Sequence, residues 1–139
     1  QTCALPILRL YYWILYAAYI NDPMAEVTRY THKEELAFRF MHYIIEEHSP
    51  DKDVTYYARK LGLSAKSLTN LIRSISGQSA RDWIVFYTIF EIKTLLRDSS
   101  LDIKAIAART HFPDHATLSR YFRRYTGMTP TKYRESFFF

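Results

Sequence analysis

The sequence predicts an all-α fold of about seven helices in which a two-helix unit occurs twice, and three observations carry that prediction. Glycine is scarce: Gly62, Gly77 and Gly127 are the only three in 139 residues, and each falls at a break between helical patterns. Apolar residues recur at i, i+3 and i+4 through much of the chain, the spacing of one helix face. An internal repeat completes the case. Ala58 and Leu63 match Ala107 and Phe112 at an offset of 49, while Leu68, Ile72, Gly77 and Trp83 match Leu118, Phe122, Gly127 and Tyr133 at an offset of 50. One extra residue in the second turn, beside Pro113, accounts for the change. Agreement at small, large apolar and glycine positions together argues for one structural unit used twice.

Taken in order, residues 8–20 (LRLYYWILYAAYI) are apolar almost all the way round. The uncharged run after Arg9 is too short to span a bilayer as a helix. Pro6 and Arg9, with no small-residue cleavage site after them, argue against a signal peptide. A helix this apolar must be covered by something, and a place in a core is the plain reading. Residues 21–31 read as a linker. Residues 32–48 resume a helix, with Leu36, Phe40, Tyr43 and Ile44 as its stripe, and the SPDKD turn offers Asp53 as the next cap.

The first two-helix unit spans about 54–77. Its supporting helix covers 54–61, with Tyr57, Ala58 and Leu61 inward. Gly62 turns the chain, Ser64 caps, and a helix over 65–76 buries Leu68, Leu71, Ile72 and Ile75. A long helix follows over 79–97, opened by a capping box of Ser79 and Asp82, with Trp83 as core. At 1.5 Å per residue it is roughly 28 Å long.

The second unit spans about 102–127. Asp102 caps a helix presenting Ile103, Ile106 and Ala107 on one face. Phe112-Pro113-Asp114 breaks it, since proline disfavours helix at the residue before it, and Asp114 caps the next. Leu118, Tyr121, Phe122 and Tyr125 form the apolar face of that helix. Gly127 stops it, and Thr129-Pro130 opens a closing helix. Two short helices about a tight turn, the second one basic, describe a helix-turn-helix.

Charge divides unevenly. Residues 1–50 hold four Lys/Arg and six Asp/Glu; residues 51–139 hold fifteen and eight. The repeats therefore coincide with the basic part, as a polyanion-binding surface requires.

Two tandem helix-turn-helix units joined by a long helix resemble the C-terminal DNA-binding domain of AraC/XylS-family transcription regulators, whose units are homeodomain-like. The residues that carry the resemblance are YYARKLGLSAKSLTNLIRSISGQSARDWI and LLRDSSLDIKAIAARTHFPDHATLSRYFRRYTGMTPTKYR, the latter being the more specific. The resemblance implies a domain over 32–139, preceded by residues 1–31 as the tail of an N-terminal sensor region. It implies double-stranded DNA as partner, activation through contact with RNA polymerase, an effector-responsive N-terminal region, and a possible homodimer through that region. Base contacts are expected from Lys66, Thr69 and Asn70 in the first unit and from His115, Ala116, Thr117 and Arg120 in the second. Arg73, Arg123, Arg124 and Lys132 suit phosphates. Arg120 can donate to guanine O6 and N7, and Asn70 can pair with adenine. Asn70 stands where many members carry arginine, so the first unit is expected to bind less tightly or to read another base. Thr88 stands at a frequent arginine, and Ile92 at a usual alanine.

Other chemistries find little support. His111 and His115 are four apart, but Pro113 and Asp114 break the helix that would put them on one face for a metal. There is no glycine-rich phosphate loop, no G-x-S-x-G and no H-E-x-x-H, so neither enzyme activity nor a cofactor is expected. Cys3 is the only cysteine, which excludes an intrachain disulfide and is compatible with a cytoplasmic setting. The chain opens without methionine and is expected to be part of a longer protein. The competing functional expectation is a protein-interaction module that uses basic helices and the apolar 8–20 segment without specific DNA binding.

Overall fold

The computed structural model describes residues 31–138; the expected apolar segment 8–20 and the linker before residue 31 lie outside them. Seven helices run through the described residues: α1 His32–Glu47, α2 Val54–Lys60, α3 Ala65–Ser76, α4 Ala80–Leu96, α5 Ile103–Arg109, α6 His115–Thr126 and α7 Pro130–Phe138. Nearly every start is a side-chain cap. Thr31, Asp53, Ser64, Ser79, Asp102 and Asp114 each accept from the backbone N–H three residues on. Each such cap satisfies a donor the helix cannot satisfy itself. The Ser79–Asp82 capping box forms as expected.

The repeat is reproduced in three dimensions. Leu63 N–H donates to the Ala58 carbonyl at 2.9 Å, and Phe112 N–H donates to the Ala107 carbonyl at 2.9 Å. Both turns need a left-handed residue: Gly62 supplies it at φ 69° in the first, His111 at φ 61° in the second. Glycine takes that conformation without steric cost, whereas histidine does so against its Cβ. Pro113 is the inserted residue, because Ser64 and Asp114 then fall in register as caps. Gly77 and Gly127 close α3 and α6 at φ 76° and 80°. Ala58 and Ala107 are buried to 1%, where their small side chains let the paired helices approach closely.

Two cores result, and α4 serves both. Leu36, Phe40, Ile44, Tyr57, Leu68, Ile72, Trp83 and Ile84 fill the first. Ile92, Leu96, Leu101, Ile106, Phe112, Leu118 and Phe122 fill the second. A helix that packs against elements on both sides has no polar face to spare, which is why α4 is apolar nearly all round. Thr88 and Ile92, the departures from the family pattern, are buried to 2% and 0%. Trp83 is core, as expected, and its Nε1–H donates to Ser76 Oγ at 2.8 Å. Arg134 of α7 donates to the carbonyls of Leu96 and Asp98, so the closing helix covers the C-terminal end of α4. The apolar face expected on α6 differs at one position. Leu118 and Phe122 are buried and Tyr121 is half-buried, but Tyr125 is 38% exposed, with its ring against Tyr121. A tyrosine at the rim buries its ring and keeps its hydroxyl in water.

His48, at the end of α1, is buried against α4. Burial, with a contribution from the nearby His111 charge, pushes its pKa down to about 4. The folded state therefore resists a proton that the unfolded chain accepts near pH 6.5. Stability from this group is present above pH 6.5 and lost as pH falls from there toward 4. Between pH 7 and 5 the expected loss is about 2 kcal/mol. That figure is a ceiling, since burial raises the Glu91 pKa and its proton uptake acts in the opposite sense. Urea midpoints at the two pH values, for the wild type and His48→Gln, check this. An equal pH dependence in the variant would assign the loss to other groups.

Candidate nucleic-acid interface

Each unit presents the outer face of its second helix, and the reason is the packing of the inner one. In α6, Leu118 and Phe122 are fully buried, which turns Ala116, Arg120 and Arg123, spaced i, i+4 and i+7, outward together. In α3, Leu68 and Ile72 do the same for Lys66, Asn70 and Arg73. Lys66, Asn70 and Arg73 thus hold the positions of Ala116, Arg120 and Arg123, at the repeat offset of 50.

The side chains expected at bases lie on the second helices of the two units. Lys66, Asn70, His115, Ala116 and Arg120 are exposed, while Thr69 and Thr117 are half-buried at the helix surface. Arg120 Nη2 donates to Thr117 Oγ1 at 3.2 Å, which holds the guanidinium back along the first turns of α6. Thr117 N–H in turn donates to the Asp114 carboxylate at 2.6 Å. That backbone bond is the first cause of the depressed Asp114 pKa, and the Arg120 charge adds to it. A cap, a threonine and an arginine are thereby linked at the start of the second recognition helix. The equivalent first-unit group is uncharged: Ser64 accepts from Ser67 N–H at 3.0 Å and its hydroxyl donates to Ser67 Oγ at 2.8 Å.

The four phosphate candidates, Arg73, Arg123, Arg124 and Lys132, are all exposed. The Arg124 guanidinium lies over the Tyr125 ring, 5.5 Å from its centroid. Arg81, at the N-terminal end of α4, was not among the expected contacts. It is exposed, and hydrogen bonding to Tyr125 raises its pKa, so it sits beside the C-terminal half of α6. Its position 44 residues before Tyr125 gave no local signal.

His111 lies in the left-handed turn and His115 opens α6, so the two histidines do not share a helix. No helix among the described residues is long and apolar enough to cross a membrane.

Comparison with known proteins agrees with this architecture. A helix-turn-helix domain family profile matches residues 57–136, more than half of the chain. The transcriptional activator RhaR of Yersinia pseudotuberculosis is 36% identical over 85 residues, covering 61% of this chain and 29% of that protein. The chain thus spans about three tenths of the length of such relatives. Among solved structures, the C-terminal domain of the response regulator AraT from Geobacillus stearothermophilus superposes with a TM-score of 0.67 at 22% identity, over 76% of this chain and 88% of that one. The DNA-binding domain of the transcription factor AdpA, solved in complex with a target DNA, gives 0.61 at 24% identity, over 73% and 91%. Repeat, caps, turns and matched residues lead to one assignment: the chain belongs to the AraC/XylS family of DNA-binding transcription regulators and carries their C-terminal tandem helix-turn-helix domain.

Proposed function

We propose that this chain is the DNA-reading part of a sequence-specific transcription activator, with α3 and α6 entering successive major-groove segments on one face of the duplex. The observation that carries the reading is the pair of matched outward faces, Lys66/Asn70/Arg73 and Ala116/Arg120/Arg123, held on one rigid joining helix. At 17 residues α4 is about 26 Å long, comparable with the ~34 Å turn of B-DNA once the flanking helices add their width. In this reading, Lys66, Thr69, Asn70, His115, Ala116, Thr117 and Arg120 meet base edges. Arg73, Arg123, Arg124 and Lys132 neutralise phosphates, adding affinity without sequence information. An N-terminal region outside the described residues supplies effector sensing and the homodimer contact, RNA polymerase is the downstream partner, and the setting is the cytoplasm.

Selection of bound duplexes from a randomised pool by the 139-residue chain tests this. Two short boxes centred about one helical turn apart are expected. Arg120→Ala should cost about 1–3 kcal/mol of discrimination at the box read by α6 and leave the other box intact. Enrichment of a single box would mean that α3, with Asn70 in place of an arginine, contributes no readout. No enrichment from a folded chain would reject the DNA reading in favour of a protein-interaction module.

A further inference from the structure

The two recognition helices open on different caps, and the difference reaches the residue that each unit offers to a base. In the first unit the Ser64 hydroxyl donates to Ser67 Oγ at 2.8 Å, so the Ser67 oxygen is engaged within the cap. In the second unit Asp114 stands in place of Ser64 and Thr117 in place of Ser67, at the repeat offset of 50. Asp114 accepts from Thr117 N–H at 2.6 Å, which holds its carboxyl below the ordinary range and ionised at neutral pH. An ionised carboxylate has no hydrogen to donate. Thr117 Oγ1 is left to accept from elsewhere, and Arg120 Nη2 donates to it at 3.2 Å.

The surroundings of Arg120 favour the same direction. Side chains on a helix lean toward its N-terminus, which brings Arg120 over Thr117, one turn earlier. Arg123 and Arg124 follow on the next turn, where like charges repel. The positive end of the α6 dipole acts against a cation in the first turns, and the Asp114 carboxylate offsets it. Among the described residues no ion pair engages the guanidinium. Nη2 is tied to Thr117, and the other N–H groups remain for a base edge.

We propose that Thr117 is a positioning residue whose hydroxyl holds the Arg120 guanidinium over one base pair and so sharpens the reading of the box under α6. The inference rests on the tandem reading proposed above and deepens it. An unrestrained arginine loses much rotamer freedom on pairing with a base, and its reach extends to neighbouring base pairs. An arginine already held near its bound direction loses less at the right base pair and gains less at a wrong one. Thr117 acts in this through its hydroxyl, and its methyl is left for the base contact assigned above. Asn70, the counterpart of Arg120, has no such hold, because Ser67 Oγ accepts from the cap.

The test is a double-mutant cycle on the 139-residue chain, read as duplex affinity at one salt concentration. The duplexes are the one that the wild type selects and each single base-pair change within its α6 box. Thr117→Val keeps the size and a methyl of threonine and removes only the hydroxyl. It should lower discrimination at the base pair read by Arg120 about fivefold, the net effect of one hydrogen bond. The box under α3 should be read as before, which a general loss of structure would not allow. Thr117→Ser keeps the oxygen and should discriminate as the wild type does. In an Arg120→Ala background, Thr117→Val should change affinity by less than about twofold. A fivefold loss that persists in that background would mean that the hydroxyl meets DNA by itself, and overturns the inference. Unchanged discrimination in Thr117→Val, or a loss in Thr117→Ser equal to that in Thr117→Val, overturns it too. A folded wild type that selects no duplex, or an Arg120→Ala variant that discriminates like the wild type, sinks the reading beneath it. Those outcomes differ from specific binding in which Thr117→Val alone has no effect.

Discussion

Phe122→Ala should remove about 3–5 kcal/mol, the cost of deleting a buried aromatic side chain from a packed core. Phe122 is fully buried, and its ring meets Tyr133 edge-on at 5.4 Å, so it connects the second recognition helix to the closing helix. A domain of this size has about 5–15 kcal/mol in total. The loss falls on one core. Trp83 lies in the other and reports on it, provided the second tryptophan is removed by working in a Trp13→Phe background. Chemical denaturation should then show the circular dichroism transition moving to lower denaturant than the Trp83 fluorescence transition. Phe90→Ala is the matched control: Phe90 is 51% exposed on α4, and its removal should change stability by no more than about 0.5 kcal/mol. Similar losses from the two variants would mean that Phe122 does not carry the second core.

The contrast between Phe122 and Phe90 also marks what the sequence could show. Phe122 was legible because it belongs to a repeated pattern: Ile72 precedes it by 50 residues, and a cap and a glycine stop bracket each copy. Local signals of this kind located every helix from residue 32 onward and the extra residue at Pro113. Phe90 was not legible, because α4 is apolar on nearly all sides and periodicity cannot separate a face that meets a second core from one that meets water. Tyr125 misled for a related reason. Its spacing is that of an apolar face, but an amphipathic ring at the rim satisfies that spacing while 38% exposed.

The interface divides in the same way. Outward positions on α3 and α6 follow by elimination once the inward ones are known, so Lys66, Asn70, Arg120 and the others could be placed from helix geometry and resemblance. The hydrogen bond between His48 Nε2 and Thr88 Oγ1, 2.6 Å long, could not. His48 and Thr88 are 40 residues apart. No periodic pattern links them, and a threonine within an apolar helix reads as a weak position until its partners are seen. Arg81 beside Tyr125 is a second pairing of this type. Long-range polar pairing is set by how elements cross, and crossing is what a linear pattern does not encode.

Salt should act on DNA binding more strongly than any single base contact. Four exposed cations, Arg73, Arg123, Arg124 and Lys132, are assigned to phosphates in the proposed complex. Each phosphate neutralised releases condensed counterions and contributes about −0.9 to the slope of log K against log salt. Four contacts give a slope of about −3.6, so raising salt from about 50 to 200 mM should weaken binding about 150-fold. The double variant Arg123→Ala/Arg124→Ala should reduce the slope by about 1.8, in equal measure for preferred and scrambled duplexes. Arg120→Ala, assigned to a base edge, should weaken only the preferred duplex and leave the slope close to that of the wild type. Titrations of one labelled duplex of each kind at several salt concentrations separate the two classes. If Arg120→Ala flattened the slope while the double variant changed sequence preference, the assignment of base and phosphate roles along α6 would be reversed. The outward row Ala116, Arg120, Arg123 would then run along the strand and not into the groove.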